Sequence, residues 1–276
     1  MLKQKVGLQL YSVRQALTED MDGALARVKE IGYDCVEFSG GRYGRTAHET
    51  RKLLDKHDLT CVSVHQSPSF FEKDPRDAVE YVKTLGARFC VIPVVRLPAY
   101  REKWEETIAL FRTMTEAFAA EGISLLYHNH DHEVQPLPGD TVPLLQRILE
   151  AVPGLSPEPD TCWLSYGGAD PVACIQKYAD RLSVVHLKDY ACDALPPRPM
   201  WQLMQEGFPK PQKRSEVAFR YAPVGMGVEN WQRILRAVNK TPAQYIIVEQ
   251  DESRERDPME AAALSRQYLI DIESAL

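Results

Sequence analysis

Short apolar runs alternate with segments of helical periodicity along the whole chain. Apolar runs bounded by polar or turn residues are typical of buried strands, whereas apolar residues recurring every three or four positions are typical of helices. The runs predict eight strands, at residues 6–10, 35–38, 59–65, 89–95, from 124 onward, 154–160, 182–187 and 245–249. Pro157 and Pro159 make the sixth strand the weakest prediction, because proline donates no hydrogen bond to a sheet.

Between these strands the periodic segments predict eight helices, at residues 20–31, 47–57, 74–86, 102–120, 141–151, from 170 onward, 228–238 and 258–276. Eight strands alternating with eight helices predict a (β/α)8 TIM barrel formed by a single domain, residues 1–276. An open doubly wound sheet would usually carry a glycine-rich turn after its first strand, where this chain reads Y-S-V-R. Residues 190–224 contain six prolines and are predicted to form a long loop over one face.

Composition and charge limit what the chain is expected to bind and where it is expected to lie in the cell. The chain of 276 residues has a net charge of −6, which disfavours nucleic acid as a ligand. No run of 18 apolar residues is present, so no membrane span is expected. The six cysteines lie far apart without metal-type spacing and indicate small buried residues in a reducing compartment. We therefore expect a soluble cytoplasmic protein.

The segment S-L-L-Y-H-N-H-D-H-E-V at residues 124–134 carries three of the seven histidines beside two carboxylates. Strand alternation would point His128 and His130 to the same side, provided that the strand extends that far. Imidazoles and carboxylates that converge at a strand end are the ligands of a divalent metal. The alternative is a polar loop whose histidines are solvated or cap a helix.

Other predicted strands also end in polar or charged residues. In a barrel of this kind, functional side chains gather at the carboxyl ends of different strands. Any one such residue could simply mark the point where a strand meets its loop, but together they predict a site at the barrel mouth. These residues are Gln9, Glu37, His65, His128, His130, Asp160, His186 and Glu249.

Several short motifs, in this order, resemble those of the xylose-isomerase-like barrel superfamily of sugar phosphate isomerases and epimerases. They are G-L-Q-L-Y-S-V-R, Y-H-N-H-D-H-E, D-T-C-W, H-L-K-D, P-V-G-M-G-V-E-N-W and Y-I-I-V-E-Q-D. The resemblance implies one divalent metal, often manganese, held at the positions of His128, Asp160, His186 and Glu249. Ligands of these types also suit cobalt, zinc or magnesium.

The chain departs from that superfamily at two positions, and each departure limits the reactions that are expected. His128 stands where the classical epimerases carry a glutamate, which resembles the inosose dehydratase branch and argues against a symmetric pair of glutamate acid–base groups. Trp163 stands where the related apurinic endonucleases carry a ligand histidine after the sixth strand. Too few ligands therefore remain for three zinc ions, and DNA repair is disfavoured.

The resemblance implies an enzyme that removes a proton alpha to a carbonyl of a sugar or cyclitol, a reaction to which a metal contributes as Lewis acid. Glu249 is expected to act as base or to orient His65 or His130, and Lys188 to stabilise the oxyanion. The predicted substrate-binding residues are Gln9, Tyr11, Arg14, Glu37 and Trp163. Isomerisation, epimerisation and dehydration remain open, as do a homo-oligomeric state, a non-catalytic sugar-binding subunit and a metal-free barrel.

Overall fold

The computed structural model describes residues 1–192 and 219–276. Eight parallel strands follow one another around a barrel: β1 Lys5–Gln9, β2 Cys35–Phe38, β3 Thr60–His65, β4 Phe89–Ile92, β5 Ser124–His128, β6 Ser156–Glu158, β7 Val184–Leu187 and β10 Tyr245–Val248. Their hydrogen-bonded order is β6-β5-β4-β3-β2-β1-β10-β7. The predicted (β/α)8 barrel is confirmed.

The helices pack outside this barrel. They are α1 Arg14–Glu19, α2 Met21–Ile31, α3 Ala47–Lys56, α4 Pro68–Lys73, α5 Pro75–Thr84, α6 Leu97–Glu102, α7 Trp104–Ala119, α8 Leu144–Ala151, α9 Thr161–Tyr166, α10 Pro171–Lys177, α11 Trp231–Val238 and α12 Pro258–Ile272. Asp74 and Asp170 each cap a helix that has proline in its first turn, as their sequence pattern predicts. Within the described part of the chain, no helix is long and apolar enough to cross a membrane.

The barrel is weakest between β6 and β7, the two ends of the strand order. The predicted sixth strand at 154–160 is reduced to three residues, Ser156–Glu158, because Pro157 and Pro159 donate no ladder hydrogen bonds. One bridge between Asp160 and His186 closes the barrel, with the His186 amide donating to the Pro159 carbonyl at 2.9 Å. Both bridge residues belong to the predicted metal set.

The predicted loop at 190–224 begins and ends in an unpredicted antiparallel hairpin, β8 Asp189–Cys192 and β9 Phe219–Ala222. Residues 193–218 of that loop, predicted to cover the site, lie outside the described residues. β5 ends at His128, so His130 lies beyond the strand, directly before a short 3-10 helix at Asp131–Val134. His128 and His130 therefore do not share a strand face.

The barrel interior changes from apolar to polar along its axis. One buried apolar cluster includes Cys35, Leu126, Val184 and Ile247, each from a different strand. Side chains two positions apart on a strand point to the same side. The residues two positions further along these four strands are Glu37, His128, His186 and Glu249, and all four are buried. The apolar layer, here called the floor, thus lies directly beneath the polar site.

Candidate active site

Four predicted metal ligands converge above this floor. His128, Asp160, His186 and Glu249, here called the outer set, each offer one ligand atom, and these atoms lie within 4.8 Å of one another. His186 Nδ1 is 3.1 Å from Glu249 Oε2, and His128 Nε2 is 3.7 Å from Asp160 Oδ2. These contacts join side chains from four places in the sequence, as the strand-end argument expects.

A second group lies deeper in the barrel and shares two of these rings. His65, His128, Glu158 and His186, here called the inner set, also offer ligand atoms within 4.8 Å of one another. Glu158 is its only carboxylate and was missed in the sequence. It pairs with His128 across β5 and β6, and it precedes Asp160 by two positions, so strand alternation was the signal that could have found it.

Glu37 and Gln9 lie beneath the imidazoles, fully buried. Glu37 Oε1 is 2.7 Å from His65 Nε2 and 2.7 Å from His186 Nε2. Gln9 Nε2 donates to the same oxygen at 2.6 Å, and the Ser63 hydroxyl donates to the other oxygen. The structure therefore favours a role in orienting the rings over the predicted substrate contact of Gln9 and Glu37.

The residues present fit a metal ion. Among the described residues, three buried atoms of the two sets have no hydrogen-bond partner: His128 Nδ1, Glu158 Oε1 and Asp160 Oδ2, of which only Asp160 Oδ2 contacts an ammonium, that of Lys188 at 3.1 Å. Buried polar atoms are normally paired, so unpaired ones in one cluster need a cause. The Asp160 carboxylate is held for ligation, because its Oδ1 accepts the Trp163 amide at 3.0 Å and Asn129 Oδ1 accepts the Asp160 amide at 3.1 Å.

Lys188 is completely buried beside the outer set. Its ammonium lies 2.8 Å from Glu249 Oε2, 2.8 Å from Asp251 Oδ1 and 3.1 Å from Asp160 Oδ2. Burial alone would lower the pKa of Lys188, but the charges of Asp160, Asp251 and Glu249 raise it well above its ordinary value. These carboxylates therefore favour the charged form of Lys188, as its predicted role in stabilising an oxyanion requires.

Burial and neighbouring charges also shift the pKa values of His130, Glu249 and Asp160. Burial lowers the pKa of His130 to about 4, with the positive charge of Lys188 acting in the same direction, so the ring is neutral at pH 7. Burial would raise the pKa of Glu249, but Lys188 and His186 hold it below its ordinary value. Burial raises the pKa of Asp160 to about 6, against the opposing charge of Lys188.

A cavity of about 440 Å³ opens over these groups at the barrel mouth. Its lining includes His65, His128, His130, Lys188, Glu249, Tyr11 and Arg14. The Arg14 guanidinium stacks on the Tyr11 ring, 4.0 Å from its centroid, and donates to the Asp251 carbonyl at 2.8 Å. The predicted substrate-binding residues Tyr11 and Arg14 thus lie at the cavity, where substrate contact stays a prediction.

Trp163 is placed differently from Tyr11 and Arg14. It is buried, lies behind His130 with ring centroids 5.4 Å apart, and stacks on Phe219 at 5.7 Å. The Lys188 ammonium lies 5.3 Å from the Trp163 ring centroid. Trp163 therefore supports His130 and Lys188 from behind, and its predicted substrate contact is not seen in the lining of the mouth cavity.

Asp189, the last residue of the H-L-K-D motif, holds a turn of the P-V-G-M-G-V-E-N-W motif. Its Oδ2 accepts from the Gly225 amide, the Gly227 amide and the Trp231 indole at 2.8–3.1 Å. A Cβ at Gly227 would collide with the Asp189 carboxylate, so only glycine fits there. These two motifs thus meet in space, and Asp189 has a structural role beside the site.

Comparison with known proteins assigns the chain to a family of TIM barrels. The model of the xylose isomerase-like TIM barrel family matches residues 25–272, and the chain belongs to this family. It is 26% identical over 196 residues to the rhizopine catabolism protein MocC of Rhizobium meliloti, covering 63% of this chain and 59% of that protein. It is 24% identical over 200 residues to inosose dehydratase of Geobacillus kaustophilus, covering 63% of each. The chain thus spans about three fifths of the length of these curated relatives.

Solved structures give the same fold over nearly the whole chain. A sugar phosphate isomerase/epimerase from Parabacteroides distasonis superimposes with a TM-score of 0.76 at 22% identity, covering 98% of this chain and 94% of that one. The IolI protein, solved with a bound zinc atom, superimposes with a TM-score of 0.71 at 13% identity, covering 99% of each chain. At such identities the likeness establishes the fold alone.

Proposed function

We propose that this chain is a divalent-metal-dependent enzyme that removes a proton alpha to a carbonyl of a sugar or cyclitol. The observation that carries the proposal is the outer set, four buried ligand residues beside a buried lysine, with His128, Glu249 and the lysine lining the mouth cavity. Isomerases, epimerases and dehydratases among the similar proteins support this reaction class. The identity of the metal stays open; manganese, zinc, cobalt and magnesium all suit two imidazoles and two carboxylates.

The metal would be held by the outer set and would supply Lewis acidity to the carbonyl and the adjacent hydroxyl. The chain's own groups do the rest. Ionised Glu249 and neutral His130 both face the cavity and can accept the proton from the carbon alpha to the carbonyl. The electrons of that C–H bond then move to the carbonyl oxygen, and the Lys188 ammonium stabilises the resulting oxyanion.

The fate of that proton distinguishes the outcomes. Its delivery to the carbonyl carbon, with the proton of the alpha hydroxyl passing to the former carbonyl oxygen, gives isomerisation. Return of a proton to the opposite face of the same carbon gives epimerisation. Expulsion of a hydroxide from the next carbon, protonated as it leaves, gives dehydration. The similarity to inosose dehydratase keeps this third outcome as the second candidate function.

The test detects proton abstraction before the product is known. Purified protein loaded in turn with manganese, cobalt, zinc or magnesium is incubated in D2O with keto-sugars and inososes. NMR then follows loss of the alpha C–H signal. Exchange that disappears in Glu249→Gln supports the proposal, and new signals identify the outcome. Ligand binding without exchange for any metal would indicate a non-catalytic sugar-binding barrel instead.

A further inference from the structure

The inner set has the geometry of a cation site of its own. Glu158 Oε2 lies 3.2 Å from His65 Nε2, 3.5 Å from His128 Nδ1 and 3.4 Å from His186 Nε2. A tetrahedral zinc ion with bonds of about 2.0–2.1 Å places its ligand atoms roughly 3.3–3.4 Å apart. The observed distances from Glu158 match the edges of such a tetrahedron.

The carboxylates around the inner set differ from those of the outer set in their charged partners. In the part of the chain that the structure describes, the ion pairs of Glu37 and Glu158 are all with imidazoles. The outer carboxylates Asp160 and Glu249, in contrast, are both paired with the Lys188 ammonium. Two buried carboxylates whose ion pairs are all with imidazoles are costly unless those rings are protonated or a bound cation takes the place of the protons.

Unpaired ligand atoms give independent support. Glu158 is fully buried, and its Oε1 has no hydrogen-bond partner among the described residues. The same holds for His128 Nδ1, the ring nitrogen that faces Glu158. The ring nitrogens of His65 and His186 contact Glu37, which would remain as a neighbouring carboxylate if an ion bound.

We propose that His65, His128, Glu158 and His186 form an inner zinc-type site that competes with the outer set. Three imidazoles and one carboxylate suit zinc, whereas two carboxylates with two imidazoles also suit manganese and magnesium. The competition follows from the shared rings. His128 presents Nδ1 inward and Nε2 outward, and His186 presents Nε2 inward and Nδ1 outward. A neutral imidazole has one acceptor nitrogen, so each ring serves one ion at a time.

The direct test is an anomalous difference map at the zinc edge, from crystals of the full chain grown with one equivalent of zinc. We expect a peak about 2.0–2.1 Å from His65 Nε2 and Glu158 Oε2. A peak held by Asp160 and Glu249, with none at the inner set, would overturn the inference.

In solution, zinc affinity measured by competition with a chelating dye tests the same site. Glu158→Gln and His65→Gln are each expected to weaken zinc binding by more than about 100-fold, beyond the loss usual for a residue that only orients a ligand. Glu133→Gln changes another buried carboxylate that pairs with an imidazole, at 2.9 Å from His132, and is the matched control. Losses below about 10-fold in both inner variants would refute direct ligation.

Competition has its own readout. Zinc added to manganese-loaded protein should release manganese mole for mole, seen as free manganese by electron paramagnetic resonance. Simultaneous binding of both ions would contradict the proposed competition.

The inner site goes beyond the proposed function, and the two proposals can fail separately. Turnover with manganese but no zinc at the inner set would overturn only the inner site. Zinc at the inner set without turnover for any metal would overturn only the enzyme proposal.

Discussion

Two buried carboxylates, Glu158 and Glu133, each lie against histidines, yet their surroundings differ. Glu133 accepts from the Tyr127 hydroxyl at 2.7 Å and from the His130 amide at 2.8 Å, and it pairs with His132 at 2.9 Å. Both of its oxygens are thereby used. Glu158 contacts three rings through one oxygen, and the other has no partner among the residues described.

The contrast shows how a structural histidine–carboxylate pair differs from a ligand set. Hydrogen bonds to both oxygens of a carboxylate, here called saturation, fix a loop and leave little acceptor capacity for an ion, whereas unpaired buried atoms carry a cost that an ion can remove. Asp189, with its amide and indole donors, belongs with Glu133 on the saturated side. Asp160 lies between the two cases, because its Oδ1 accepts the Trp163 amide and its Oδ2 contacts the Lys188 ammonium without a hydrogen bond.

The largest expected effect is loss of proton abstraction on removing a cavity carboxylate. Glu249→Gln should reduce exchange of the alpha proton by at least about 10²–10⁴-fold, the usual contribution of a general base, because it removes an outer-set ligand as well as the base. Glu121→Gln, which removes a surface carboxylate paired with Lys83, is the control. Exchange in Glu249→Gln above a tenth of the wild-type rate would place the base elsewhere.

Removing the saturated carboxylate should affect stability instead. Glu133→Ala strands His132 and the Tyr127 hydroxyl, and it should lower the free energy of unfolding by about 3–5 kcal/mol, as for other broken buried pairs. Metal content per folded chain should stay at the wild-type value. Urea unfolding and metal analysis on the same sample measure both. Metal loss in the folded variant would contradict the distinction between Glu133 as a structural carboxylate and Glu158 as a ligand.

A smaller loss is expected at the second saturated carboxylate. Asp189→Asn keeps one acceptor oxygen but loses the charge that strengthens several hydrogen bonds, so we expect about 1.5–3 kcal/mol less stability. Because the Trp231 indole donates to Asp189 at 2.8 Å, its fluorescence should shift. Unchanged stability and fluorescence would show that the turn is held by other contacts.

The last expected effect is a dependence of stability on pH. Burial disfavours protonated His132, but the charge of Glu133 outweighs it and raises the pKa of His132 to about 10, from an ordinary 6.5. A group with a raised folded-state pKa stabilises the fold fully below its unfolded pKa. This contribution should therefore fade as pH rises from about 6.5 to 10, and His132→Gln should flatten that part of the profile. Equal pH slopes in unfolding experiments on both proteins would contradict this.

Strand alternation was sufficient to predict the barrel and a group of polar residues at its mouth, whereas the outer set was selected from that group by the family resemblance. The sequence was insufficient where tertiary contacts decide. The two prolines made the sixth strand a weak prediction, so Glu158 within it was not recognised as a site residue. Its position follows from its pairing with His128 across β5 and β6 in the barrel. Gln9 and Glu37 do lie at strand ends, but bulky rings above them separate them from the cavity.

Metal content tests the central claim most directly. Plasma mass spectrometry on untagged wild-type protein should find about one divalent ion per chain, or uptake of one on adding manganese. Asp160→Ala and Glu249→Ala, if folded by circular dichroism, should lose manganese, since each removes an outer-set ligand. Folded wild-type protein that neither contains nor takes up a metal, or variants that retain manganese fully, would contradict the account.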